Sequence, residues 1–342
     1  MTTEPRRVFV FTHARTASNV FYKVLASHPI FHPAESSTFI SAFGLGTDSQ
    51  SARSRDKWQR WYNMSDDEVS KISYQSKLDD LERMMAEADM NKGKWFLATE
   101  HPYILMSSAE VHSHMNVPGS EIFPIPVIED RMLDVIAESP SSELTIPGHV
   151  RNPTLLPDRI FFSLTPIFTI RHPARVIPSY ARAVLNSFGT DTSDLDIPIG
   201  GAGFCLDRLV FDAFKAFDEA RAAAEGRPPR VPIVVDGDRF VRDPRGQMRR
   251  VCEALGIDAD EALLKYSWEA NLDTEESKKR EGFLSVLHRS TGVLDPRYDK
   301  PLDLQEEVRD WANKWDEKTA RNLEEMVAGA MDDYEYLLQF SI

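Results

Sequence analysis

Four short apolar runs constrain this chain more than any other feature: "RVFVFT" at 7–12, "KWFLAT" at 94–99, "PIFTI" at 166–170 and "VPIVVD" at 231–236. A strand with one wet face alternates apolar and polar residues. Here nearly every position is apolar, so both faces must be covered. Long stretches of helical character separate the runs, which is the spacing of crossovers between parallel strands. The expected fold is α/β, with a central parallel sheet of four to five strands flanked by helices. In open parallel sheets, ligands lie beyond the carboxyl ends of the strands. Each run ends in groups able to do chemistry: His13 and Arg15, Glu100 and His101, Arg171 and His172, Asp236 and Asp238. One crevice is expected to gather them.

The intervening segments read as parts of one domain spanning 1–342. Residues 48–92 read as charged, helical and surface-facing, with "DDLERMMAEADM" as an amphipathic piece. Residues 116–158 are proline-rich, with a short helix expected near 129–138, and read as a substrate loop within a variable region 102–158; a second variable loop is expected at 36–62. "FCLDRLVFDAFKAFDEARAAAE" (204–225) predicts an amphipathic helix stopped by Gly226 and Pro228, and 303–338 predicts a helical tail.

Charge and composition narrow the function classes. A net charge of −14 argues against a nucleic-acid surface, so an anionic ligand needs a dedicated basic pocket. No run approaches the ~20 apolar residues of a membrane span, and the first residues lack the apolar core of a secretory signal. Cys205 and Cys252 have no zinc-ligand spacing and are read as buried thiols, and no carboxylates cluster at metal-site spacing. The expected setting is the cytoplasm, with no metal, no membrane and no nucleic acid.

The first loop, "THARTASN" (12–19), has the strand–turn–helix layout of a phosphate-binding loop but lacks GxxxxGK[ST]. Free amides at a helix start attract an anion, and Arg15 adds a charged fork suited to phosphate or sulfate. Ser18 and Asn19 are candidates both to cap the helix and to donate to a phosphate oxygen. A plain turn capped by Ser18 fits the loop taken alone. In "FTIRHPARVIPSYARAVLNS" (168–187), Arg171 leaves a buried strand, Pro173 starts a helix, and Ser179 lies eight residues after the arginine. No acidic residue stands near Arg171 in sequence, which favours a ligand role over an ion pair.

These segments resemble the sulfotransferase family. "THARTASN" resembles its 5′-phosphosulfate loop, T-[YF]-P-K-S-G-T-T, and "IRHPARVIPSY" its 3′-phosphate motif, R-[DN]-P-x-x-x-x-x-S-Y. "VVDGDRFVRDPRGQMRRVCEALGI" (234–257) is similar to the family's Y-E-D-L-x-x-D-P segment and its C-x-x-L-G helix, and "SKKREGFLSV" (277–286) to its late R-K-G segment. "NPTLLPD" and "RSTG" resemble a divergent branch common among fungal sulfotransferase-like proteins. The resemblance implies a three-layer P-loop NTPase-like sandwich and 3′-phosphoadenosine-5′-phosphosulfate as co-substrate. It implies that Arg15 stands for the loop lysine at the transferring group, with Thr16, Ala17, Ser18 and Asn19 as the phosphate cradle. Arg171 and Ser179 would hold the 3′-phosphate, with Arg280 and Gly282 closing over it. Trp268 in "YSWEAN" would stack on adenine, and His101 in "LATEHPY" would be the base.

The departures are Arg15 for lysine, Ala17 for the loop glycine, Glu281 for the late lysine, and His13 where the family has an aromatic. Alanine at the glycine position is expected to avoid positive φ or to take a different path. Sulfuryl transfer is an in-line displacement in which the acceptor hydroxyl loses a proton, work that suits an imidazole. His101 is the first choice, with His13 and His172 as substitutes. The expected acceptor is a small apolar or aromatic hydroxylated metabolite. The alternatives are a kinase or nucleoside-triphosphatase, which the missing GK[ST] disfavours, and a catalytically silent nucleotide-binding protein.

Overall fold

The computed structural model describes residues 6–34, 39–51, 55–91, 93–115, 122–134, 146–189, 196–270, 283, 287–293 and 302–342. A five-stranded sheet runs through it, made of β1 (Arg7–Thr12), β2 (Phe31–Pro33), β3 (Trp95–Glu100), β4 (Leu164–Ile170) and β5 (Ile233–Asp236). The order is β2-β3-β1-β4-β5, and each pairing is parallel. The four expected strands are present. The fifth, β2, is three residues long, too short to carry a periodic signal, and pairs with β3.

The apolar runs divide by parity, as a pleated strand requires. Val8 and Val10 of β1 join Leu97, Ile167 and Val235 in one core, while Phe9 and Phe11 join Phe96, Ala98 and Phe168 in the other. Both faces of the sheet are therefore covered by helices, which explains the near-absence of polar positions. Pro166 sits inside β4 without penalty on its β5 side, because pairing with β5 begins only at Ile167.

The helix Phe204–Glu225 has the expected bounds and ends at Gly226 with φ 65, the left-handed stop that glycine accepts. The tail is two helices, Leu304–Lys314 and Glu317–Leu338, with Asp316 capping the second through the Thr319 amide at 2.8 Å. The described residues of 48–92 form three helices, Arg55–Tyr62, Asp66–Ser70 and Tyr74–Met90. The third is not merely a surface helix: Leu78, Leu81 and Met85 are wholly buried in the core that holds Phe9 and Phe11.

The helix expected near 129–138 is not formed over its described part, 129–134. Side chains take the backbone groups instead. Gln75 accepts the Glu129 amide at 2.6 Å, Glu82 accepts the Leu133 amide, and Arg159 grips Asp130 and Asp134 at 2.7 and 2.8 Å. Glu82 is 0% exposed. Its burial, helped by the Asp130 and Asp134 carboxylates against the opposing Leu133 hydrogen bond, pushes its pKa up to about 7. The folded chain thus holds a proton that the unfolded chain releases near the ordinary value of 4.5, and stability falls as pH rises from there to about 7. Glu82→Gln keeps the acceptor and removes the titration. It is expected to melt above the parent protein at pH 8 and to coincide with it near pH 4; equal melting temperatures at pH 8 would contradict this.

Candidate functional site

β1 ends at Thr12, and the chain reaches the helix Ser18–Ala26 through a turn carrying two left-handed residues that are not glycine, Arg15 (φ 64) and Ala17 (φ 63). Ala17 therefore adopts the glycine conformation that an alanine was expected to avoid. It is also the N-cap, its carbonyl accepting the Val20 and Phe21 amides at 3.0 Å. Ser18 is not the cap: it is the first helical residue and is buried, with Asn19 exposed beside it. Among the described residues no side chain caps the helix start, so its first amides keep their attraction for an anion.

Left-handed non-glycine residues cost on the order of 1–2 kcal/mol each, and such strain persists only where the surroundings over-determine it. The surroundings do so here. The His13 amide donates to Thr169 O at 3.2 Å, Thr16 Oγ1 donates to His13 O at 2.8 Å, and the Thr16 and Thr169 hydroxyls lie 2.8 Å apart. Gly237, at the start of the helix after β5, lies so close beneath the turn that a Cβ there would stand 2.2 Å from Thr16 O. Gly237→Ala is expected to lower stability by about 1–3 kcal/mol, as overpacking does; an unchanged denaturation midpoint would show that the turn can move aside.

The basic groups meet above this turn. Arg15 Nε donates to Ser179 Oγ at 3.0 Å and Arg15 Nη1 to Phe283 O at 2.6 Å, while Arg171 Nη1 donates to Arg15 O at 3.3 Å. Arg15, Thr16, Ser179 and Arg171, read from two distant segments, are thus brought together. Arg171 does have an acidic partner, contrary to the sequence argument. Asp238, 67 residues on, accepts from Arg171 Nε at 2.8 Å and lies 3.5 Å from Arg175. Asp238 and Gly237 were legible only as neighbours of β5; their contacts with the turn are tertiary.

His101 N-caps the short helix Pro102–Leu105 at the end of β3. Its Nδ1 lies 2.6 Å from Thr12 O and 2.9 Å from Thr12 Oγ1. A carbonyl can only accept, so Nδ1 carries the proton and Nε2 is the basic nitrogen of the neutral ring. Glu100 accepts the His101 and Phe39 amides at 2.9 and 2.8 Å and is buried.

The two substitute histidines are unsuited to act as base. His172 caps the helix Pro173–Phe188, its Nδ1 accepting the Ala174 amide at 3.2 Å. His13 is 4% exposed, and burial drives its pKa down to about 3. Asp236 is the cap of the helix Gly237–Arg242, accepting the Asp238 and Arg239 amides.

A line of aromatic rings leads from His101 to the arginine cluster: Tyr103 stacked on His101, then Phe43, Trp58, Phe188 and Phe283, with successive centroids 5.3–6.4 Å apart. They come from the two expected variable loops, from the end of the Pro173–Phe188 helix and from the late segment. Trp268 lies apart from this line. Its indole Nε1–H donates to Ser290 Oγ at 3.2 Å, and the Lys23 ammonium covers its ring at 4.6 Å. Arg280, Glu281 and Gly282 lie outside the described residues. Among the described residues, no group of three or more His, Cys, Asp or Glu side chains is placed to hold a metal ion, and no helix is long and apolar enough to cross a membrane.

The sequence also has relatives that match along nearly its whole length. "Sulfotransferase ppzF" of Metarhizium majus (strain ARSEF 297) is 26% identical over 352 aligned residues, covering 98% of this chain and 96% of that protein. "Sulfotransferase ppzF" of Metarhizium rileyi (strain RCEF 4871) is 24% identical, covering 98% and 95%. A solved sulfotransferase domain from the curacin biosynthetic pathway superposes with a TM-score of 0.41 at 13% identity, over 91% of this chain and 97% of that one. The model of the sulfotransferase family matches residues 5–261, which takes in all five strands, the arginine-bearing turn and the Arg171–Ser179 segment. The chain belongs to the sulfotransferase family.

Proposed function

We propose that this protein moves a sulfuryl group from 3′-phosphoadenosine-5′-phosphosulfate to a hydroxyl of a small apolar or aromatic acceptor. The observation that carries this reading is the contact of Arg15 with Ser179 at 3.0 Å, with Arg171 on the carbonyl of Arg15 itself. One bis-phosphorylated nucleotide can bridge groups so placed. The donor supplies an activated S–O bond; the chain supplies the rest. Arg15 and the amides of Thr16, Ala17, Ser18 and Asn19 hold the 5′-phosphosulfate in a P-loop-like turn. Arg171 and Ser179, with Arg280 and Gly282, hold the 3′-phosphate, and Trp268 offers a face to adenine. In this reading Asp238 fixes the fork of Arg171.

His101 Nε2 takes the acceptor proton as the acceptor oxygen attacks sulfur. The S–O bond to phosphate breaks, and adenosine 3′,5′-bisphosphate leaves with its charge held by Arg15. The aromatic line from Tyr103 to Phe283 favours a flat or apolar acceptor with its hydroxyl toward His101. No step in this scheme uses a metal ion.

Incubation with radiolabelled donor and a panel of phenols, alcohols and amines tests the reading. Label should pass to at least one hydroxylated acceptor. Donor binding without transfer to any of them would favour the silent nucleotide-binding alternative, and magnesium-dependent ATP turnover would favour the kinase-like one.

A further inference from the structure

The two peptide groups that flank Arg15 are pinned by different residues. Arg171 holds the carbonyl on its C-terminal side, and the imidazole of His13 holds the one on its N-terminal side, with Nδ1 3.1 Å from Ala14 O. Fixing both carbonyls fixes the left-handed φ at Arg15 and so the direction of its side chain. Because a carbonyl only accepts, His13 must keep its proton on Nδ1, which leaves a bare lone pair on Nε2 in a buried site. A lone pair so placed needs a donor.

The group facing Nε2 is Asp207, with Oδ2 at 4.0 Å. Asp207 is 2% exposed, and its Oδ1 has no hydrogen-bond partner among the described residues. It sits in the first turn of the helix Phe204–Glu225, and the ring of Phe204 from the same turn stacks on His13 at 4.0 Å.

We propose that Asp207 is a protonated positioning residue, whose carboxylic O–H faces His13 Nε2 and holds the tautomer that pins the Arg15 turn. An ion pair at this spot would charge both groups in a dry site. Burial opposes that from both sides: it holds Asp207 well above the usual carboxylate range and His13 far below the usual imidazole range. Its own backbone amide favours an ionised Asp207, but desolvation and the Asp333 carboxylate work the other way, and desolvation is the largest effect. The titratable neighbours are Asp333 and Cys205 beside Asp207, and His101 beside His13.

The consequence for function rests on the reading of the Arg15 turn as the donor cradle; the state of His13 does not. Two measurements keep them apart. Imidazole ¹⁵N NMR of the full chain should show His13 neutral with the proton on Nδ1 from pH 5 to 9. An imidazolium signal, or a proton on Nε2, overturns the proposal whether or not any nucleotide binds. Calorimetry with adenosine 3′,5′-bisphosphate then reads the turn. Asp207→Asn, which places an amide N–H donor where the carboxylic O–H faces Nε2, should bind within about twofold of the parent protein. Asp207→Leu and His13→Phe should each bind at least tenfold more weakly, and the double variant no more weakly than either, as two parts of one prop behave. Asp207→Asn as weak as Asp207→Leu, or additive losses in the double variant, would also overturn it.

Discussion

Arg15→Ala is expected to cut the rate of sulfuryl transfer about 10²–10³-fold, the usual loss when one preorganised contact to developing charge is removed. The reasoning starts from geometry. The guanidinium is tied at Nε to Ser179 and at Nη1 to the Phe283 carbonyl, so its plane is fixed before any substrate arrives. A group already oriented costs no reorganisation as charge builds on the leaving phosphate, and its effect falls on kcat more than on KM. Lysine, the family's residue at this position, restores the charge but cannot make both bonds from one planar fork. Arg15→Lys should therefore fall between the parent protein and the alanine variant. Single-turnover rates with donor and a productive acceptor decide this, and an unaltered rate in Arg15→Ala would remove the residue from the chemistry.

How much of this was legible in the sequence depends on which links are local. The strands were, because a run apolar on both faces has few other homes, and so was the Phe204–Glu225 helix, with its periodic apolar face and glycine stop. The short strand Phe31–Pro33 was not, since three residues carry no period. The Arg15 and Arg171 segments could each be read as a strand followed by a helix, but their meeting could not. It depends on β1 and β4 being neighbours in the sheet with Thr12 opposite Thr169.

Asp238 was read as a chemistry-bearing group at the end of β5, but its pairing with Arg171, like the contact of Gly237 with Thr16, escaped for the same reason: no pattern within residues 231–257 reveals either partner. Asp207 left a trace that local reading could have caught. It stands on the stripe that includes Phe204, Phe211 and Phe214, an acid at a core-facing position of an otherwise apolar face. The left-handed Ala17 ran against propensity, and that is the behaviour of a turn whose shape is set by its tertiary contacts rather than by its own residues.

His101→Ala is expected to lower transfer about 10²–10⁴-fold, the range for loss of a general base, while leaving affinity for adenosine 3′,5′-bisphosphate within about twofold. The split follows from where the ring is anchored. Its Nδ1 is bound to Thr12, the last residue of β1, whereas the groups assigned to the nucleotide hang from Arg15, Ser179 and Arg171. Removing the imidazole leaves those contacts in place and takes away the Nδ1 bond to Thr12 together with the Nε2 lone pair that faces the acceptor proton in this scheme. His101→Gln adds a control, since its amide can still donate to the Thr12 carbonyl but offers no basic nitrogen. If the ring served only to brace the end of β1, glutamine would recover much of the lost rate and alanine would lower the melting temperature in proportion to its kinetic loss. If it is the base, glutamine stays as slow as alanine, and both variants still release heat on titration with the bisphosphate.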